Sequence, residues 1–116
     1  MKYTITKEEN YTVLKLDEEK LDSVLSPMLK SELVTLNAEG VKNIILDLSE
    51  VMYTDSSGLS AILVGNRVFG DSDGYFVLAS VNDHVFKLIR ISQLDSVLNI
   101  LPSVEEAVDA IVQGEK

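Results

Sequence analysis

Apolar positions along this chain recur with two different periods, and the changes between them divide it into strands and helices. Tyr3–Thr6 and Tyr11–Leu16 are short runs rich in aromatic and β-branched residues, separated by Lys7-Glu8-Glu9-Asn10. That pattern predicts an opening β-hairpin with a polar loop. A helix is predicted to begin near Ser26. Serine can cap it, and Pro27 suits the first helical position, where its missing N–H would be unpaired anyway. Leu25, Met28, Leu29, Leu33 and Leu36 share one face at helical spacing, and Gly40 stands where a helix stop is expected.

Asn43–Leu48 (NIILDL) is a nearly unbroken apolar run, as expected of a central strand buried on both faces. A second helix should span about Ser57 to Phe69, followed by the loop signal Gly70-Asp71-Ser72-Asp73-Gly74. Tyr75–Ala79 (YFVLA) reads as another buried strand. Asn82 or Asp83 caps a third helix, whose apolar face is Val85, Leu88 and Ile89. A short strand is predicted near Val97–Ile100. After Pro102, Ser103-x-x-Glu106 is a capping box opening a last helix, with Val104, Ala107, Val108 and Ile111 on its buried face.

Strands alternating with helices imply parallel βαβ units with right-handed crossovers. The fold class is therefore α/β: a mixed β-sheet opened by an N-terminal hairpin, with about four helices packed against it. Repeats, low-complexity tracts and linkers are all lacking, so 116 residues read as one domain over 1–116. Ligand and partner sites in such sheets lie beyond the carboxyl ends of the strands. That singles out Leu48–Gly58, the connection leaving the central strand.

Composition narrows the chemistry. An apolar fraction of 46% is ordinary for a chain with one core. The absence of cysteine excludes disulfides and thiolate chemistry, and a single histidine, His84, disfavours a histidine-rich metal centre. A formal net charge of −9 argues against nucleic acid and anionic membrane surfaces, both of which need a basic footprint. MKYTITKEEN lacks the basic start and apolar run of a signal peptide, and no stretch reaches the roughly 20 apolar residues of a membrane span. The expectation is a cytoplasmic protein, monomer or weak dimer, that needs no cofactor and binds another protein or a small ligand.

In Asp55-Ser56-Ser57-Gly58-Leu59, short polar residues and a glycine precede an apolar helix. Asp and Ser side chains can accept bonds from first-turn amides, and glycine lets another backbone approach. Two readings stand side by side: these residues merely cap a helix, or Ser57 accepts a phosphate. A phosphate there would face the amides of Gly58, Leu59 and Ser60 at the positive end of the helix dipole. It would add roughly 1.5 to 2 negative charges, which the helix end tolerates and a docked partner does not. Along the helix, Leu59, Ile62, Leu63 and Phe69 make one stripe. Ser57, Ala61, Val64 and Val68 make a second, set off by Ser60 and Arg67. The second stripe is either a docking strip ending at the modifiable hydroxyl or the flank of a helix covered on both sides. A hydrolase built from Ser57, Asp55 and His84 lacks the G-x-S-x-G elbow and an oxyanion-hole glycine cluster, so no catalytic residue is assigned.

The stretch Asn43–Leu63 (NIILDLSEVMYTDSSGLSAIL) resembles the signature of STAS domains, specifically of bacterial anti-sigma factor antagonists. Lys20-Leu21-Asp22 with the Pro27 helix, and Leu78–Leu94 (LASVNDHVFKLIRISQL), resemble other parts of the same pattern. The resemblance implies a protein that binds an anti-sigma factor, usually also a serine kinase, and so releases a sigma factor. It further implies phosphorylation of the second serine of the motif, here Ser57, and dephosphorylation by a metal-dependent serine phosphatase. Asp22 matches the family's aspartate near that serine. The implied partner-binding set is Asp22, Asp55, Ser56, Ser57, Gly58, Leu59, Ala61, Val64 and Val68. Glu19 stands before the turn where the family often has glycine, and Ser60 and Ser80 stand where small or apolar residues are common. The alternative role is a non-enzymatic STAS subunit of a lipid-transport ATPase complex or a stress-signalling assembly.

Overall fold

The computed structural model describes residues 1–114; residues 115 and 116, the end of the expected 1–116 domain, lie outside the described residues. Two strands open the chain, β1 (Tyr3–Lys7) and β2 (Thr12–Leu16), paired antiparallel with Tyr3 opposite Leu16. A two-residue strand β3 (Lys20–Leu21) leads into helix α1 (Ser26–Ala38), then strand β4 (Asn43–Asp47). A second two-residue strand, β5 (Tyr53–Thr54), precedes α2 (Ser56–Asp71). The chain continues through β6 (Tyr75–Ala79), α3 (Asp83–Ile91), β7 (Asn99–Leu101) and α4 (Val104–Gly114).

The main sheet has the order β1-β2-β4-β6-β7, and every pairing after the hairpin is parallel. The expected mixed α/β sheet is therefore present. Because side chains alternate across a strand, an apolar run must supply two cores. Ile44, Leu46, Phe76 and Leu78 point to one face, with Leu14 and Leu16, and are covered by α1, α2 and α3. Ile45, Val77 and Ala79 point to the other, where Ala107 and Ile111 of α4 cover them. All five residues of β4 are buried, as expected of the central strand.

Helix boundaries depart from the periodicity in instructive ways. Ser26 does not cap α1. It is buried inside the first turn, where its amide and hydroxyl both donate to the Asp22 carbonyl, at 2.9 and 2.7 Å. Met28, placed on the buried face by spacing, is 49% exposed. Gly40 does end α1, with φ +104°, and Val41 N–H reaches back to the Leu36 carbonyl. Helix α2 runs through Gly70 to Asp71, past the predicted stop, and the chain reverses at Asp73 instead (φ 59°). Strand β7 lies later than the Val97–Ile100 run suggests, with Val97 left 52% exposed. Ser103 Oγ accepts from Glu106 N–H as the capping pattern requires.

Gly65 explains how tightly α2 is held. A Cβ there would lie 2.6 Å from the Phe76 ring and 2.8 Å from a Leu33 methyl. The missing side chain lets α2 sink between α1 and the sheet.

Candidate functional site

The connection from β4 to α2 is fastened by a small sheet of its own. Strands β3 and β5 pair in parallel, Lys20 with Tyr53 and Leu21 with Thr54. The carbonyl of Glu19 accepts from both Met52 N–H (2.8 Å) and Tyr53 N–H (3.1 Å). Thr54 is 2% exposed, and its hydroxyl donates to the Leu21 carbonyl at 2.8 Å. Parallel pairing sends both chains out at the same end, so Asp22 and Asp55, each the next residue, leave side by side. Thus the fold brings together two aspartates that are 33 residues apart in the chain.

Each aspartate organises a turn. Asp55, in extended backbone, caps α2: Oδ1 accepts from Gly58 N–H at 3.0 Å. Asp22 Oδ1 accepts from Val24 and Leu25 N–H at 3.0 and 3.3 Å, while its carbonyl takes the Ser26 donors. Helix α1, from Leu25 onward, has no side-chain cap, and Asp22 instead orders the turn that leads into it. The carboxylate reaches the amides through a local Asx turn, a geometry that hydrophobic spacing does not reveal. At the far end of β4, Asp47 Oδ1 accepts from Ser49 N–H at 2.9 Å and closes that turn.

Ser57 occupies the second position of α2 and is half-buried, with Ser56 exposed before it. Its surroundings differ from expectation in one respect. The Gly58 amide is taken by the Asp55 carboxylate and the Leu59 amide by the Asp55 carbonyl at 3.1 Å. Among the described residues the first-turn amides without an acceptor are those of Ser56 and Ser57. An anion at Ser57 would therefore meet these two and the helix dipole.

The second stripe of α2 is not a continuous docking strip. Ala61 is fully buried, Leu59 is 4% exposed and Gly58 is buried, so these three members of the expected set face the interior. The physical reason is that α1 covers a flank of α2 in addition to the sheet beneath it, widening its buried arc. Val64 and Val68 remain partly exposed, and Ser60 and Arg67 are exposed. Gly58 has its own role, because a Cβ there would fall on Thr54 Oγ1 and the Leu21 carbonyl. Only glycine fits where the helix start crosses the β3–β5 pair.

Several neighbours escaped the sequence reading. Val24, Met52 and Tyr53 are 70%, 57% and 45% exposed. Asn82 caps α3 through Oδ1 to Val85 N–H (2.8 Å) while its Nδ2 donates to the Val51 carbonyl (3.1 Å), tying α3 to the β4–β5 loop. His84 stacks on Tyr53 with ring centroids 6.2 Å apart. Two-residue strands have no period to detect, which is why this cluster was hidden. Among the described residues no group of three or more His, Asp or Glu side chains is placed to hold a metal ion. No described helix is long and apolar enough to cross a membrane.

A sheet of mixed direction, three helices on one face and one on the other, and a polar helix start beyond the strands' carboxyl ends define the class. The STAS domain model matches residues 2–107, and the chain belongs to that family. A Thermotoga maritima protein assigned as a candidate anti-sigma factor antagonist is 30% identical over 73 residues, covering 63% of this chain and 65% of that protein. The anti-sigma-B factor antagonist of Staphylococcus aureus is 26% identical over 86 residues, 74% of this chain and 80% of that one. The solved structure of SpoIIAA, an anti-sigma factor antagonist, in its unphosphorylated form shares the fold at 21% identity. Its TM-score is 0.81, with 97% of each chain covered.

Proposed function

We propose that this protein is an anti-sigma factor antagonist, a non-enzymatic cytoplasmic switch that binds an anti-sigma factor/serine kinase while Ser57 is unmodified and so frees a sigma factor. Phosphorylation of Ser57 by that kinase ends the association, and a metal-dependent serine phosphatase restores it. The contact surface is built from Asp22, Asp55, Ser56 and Ser57, with the exposed parts of Val64 and Val68. The similarity to antagonists in Thermotoga and Staphylococcus supports the partner class. SpoIIAA, of the same fold, has been solved in both unphosphorylated and phosphorylated forms, which supports control by phosphate.

The observation that carries the reading is the position of Ser57: a half-buried residue in the first turn of α2, where the amides of Ser56 and Ser57 have no acceptor. A phosphate there gains the helix dipole and keeps the core intact. A partner seated on the same turn meets new bulk and roughly 1.5 to 2 more negative charges.

The test has two parts. Incubation with candidate anti-sigma factor/serine kinases of the source organism and ATP should add one phosphate, located on Ser57 by mass spectrometry and lost in Ser57→Ala. Calorimetry should show Ser57→Ala binding the phosphorylating kinase like wild type, while Ser57→Asp folds normally and binds at least about tenfold more weakly, or about 1.4 kcal/mol. Equal binding by Ser57→Asp and wild type would refute the switch. Co-purification with an ATP-binding transporter subunit and no kinase would instead assign a constitutive assembly.

A further inference from the structure

We propose that Met52 and Tyr53, with His84 stacked behind Tyr53, form a fixed apolar anchor beside Ser57 that decides which anti-sigma protein is bound. This rests on the reading of the Ser57 face as the partner surface, and it adds the element that supplies affinity and selectivity there.

Isolated exposed apolar residues are ordinary on a protein surface. These are not isolated. Met52 (57% exposed) and Tyr53 (45% exposed) are consecutive, lie three and two residues before the α2 cap, and Tyr53 stacks on the ring of His84. They are also held in place. Both backbone amides donate to the Glu19 carbonyl, and Asn82 Nδ2 donates to the Val51 carbonyl and lies 3.9 Å from Met52 Sδ. An interface residue that is already ordered loses little entropy on binding, and tyrosines held this way are frequent hot spots.

The charge around the anchor specifies the partner further. Asp22 and Asp55 follow directly on the paired residues Leu21 and Thr54, two residues ahead of Ser57 in the case of Asp55, on a chain of net charge −9. A complementary surface has an apolar hollow for Met52 and Tyr53 with cationic side chains at its rim. The phosphate then acts on the rim, and the anchor sets the identity of what docks. The two contributions reside in different residues and separate by mutation.

Calorimetry against the anti-sigma factor/serine kinase that phosphorylates Ser57 reads the prediction. Met52→Ser and Tyr53→Ala should each weaken binding about tenfold or more, with unchanged circular dichroism. Val112→Ser, an equally apolar exposed site on α4 across the sheet, should bind like wild type. His84→Ala should weaken binding a few-fold alone and add nothing to Tyr53→Ala, since it acts by holding that ring. If Ser57→Asp weakens binding while Met52→Ser and Tyr53→Ala match wild type, the anchor is refuted and the switch stands. If Tyr53→Ala weakens binding while Ser57→Asp does not, the docking face stands and the switch is refuted. If the wild-type protein does not bind that kinase at all, both are refuted.

Discussion

The Thr54 hydroxyl donates to the Leu21 carbonyl at 2.8 Å inside the protein, and the start of α2 rests directly on that bond through Gly58. This one contact joins the segment carrying Asp22 to the segment carrying Asp55 and Ser57. Replacing the hydroxyl by a methyl in Thr54→Val leaves a buried carbonyl short of a donor, at a cost of about 1–3 kcal/mol. Gly58→Ala forces a methyl onto the same two oxygens and should cost a similar 1–3 kcal/mol through strain. Urea unfolding measures both. Wild-type stability in either variant would mean the β3–β5 pair does not hold the site.

Asp22 carries charge and also accepts two hydrogen bonds, and the two properties separate by substitution. Asp22→Asn keeps an oxygen for the Val24 and Leu25 amides and should retain stability within about 0.5 kcal/mol. Asp22→Ala strips the turn ahead of α1 and should lose about 1 kcal/mol, the usual value of a cap. A partner that reads charge will bind Asp22→Asn more weakly despite its intact fold. Thermal unfolding together with calorimetry distinguishes the two effects.

Gly65 sits inside α2, where alanine ordinarily stabilises a helix by about 1 kcal/mol. Here the added methyl would press on Phe76 and Leu33, each fully or almost fully buried. Gly65→Ala should therefore destabilise by about 1–3 kcal/mol, reversing the sign that propensity alone gives. A raised unfolding midpoint would show that α1 and α2 yield easily.

Tyr3 donates to Glu32 Oε1 at 3.1 Å, and the bond to this carboxylate, with its negative charge, raises the phenol above the ordinary value of 10.0. A group with a raised folded value contributes stability fully below its unfolded value and loses it as pH rises through the folded one. The link between β1 and α1 should thus persist through neutral pH and fail only above about 10. The difference in phenolate absorbance between wild type and Tyr3→Phe isolates this tyrosine. A midpoint at or below the ordinary value would contradict the bond.

Much of this was legible in the chain. The unbroken runs Asn43–Leu48 and Tyr75–Ala79 required strands covered on both faces, and β4 and β6 are buried on both. Asp55 before Ser56-Ser57-Gly58 announced a capped helix start, and Asp55 caps it. Either Asn82 or Asp83 was expected to cap α3, and Asn82 does. These features are local: period and capping depend on residues within about one turn of one another, so the sequence states them directly.

What lay beyond the sequence involves contacts between segments far apart in the chain. Ala61 and Val64 belong to one periodic stripe, yet the packing of α1 buries the first and leaves the second partly open. The β3–β5 bridges are too short to carry a period, yet with the Thr54–Leu21 bond they bring the segments of Asp22 and Asp55 together. Amide accounting at Ser57 depended on which acceptors Asp55 could reach. The chain by itself determined where a helix would begin with an available serine. Tertiary packing decided which side chains stand around that serine, because burial follows from neighbours that no single segment contains.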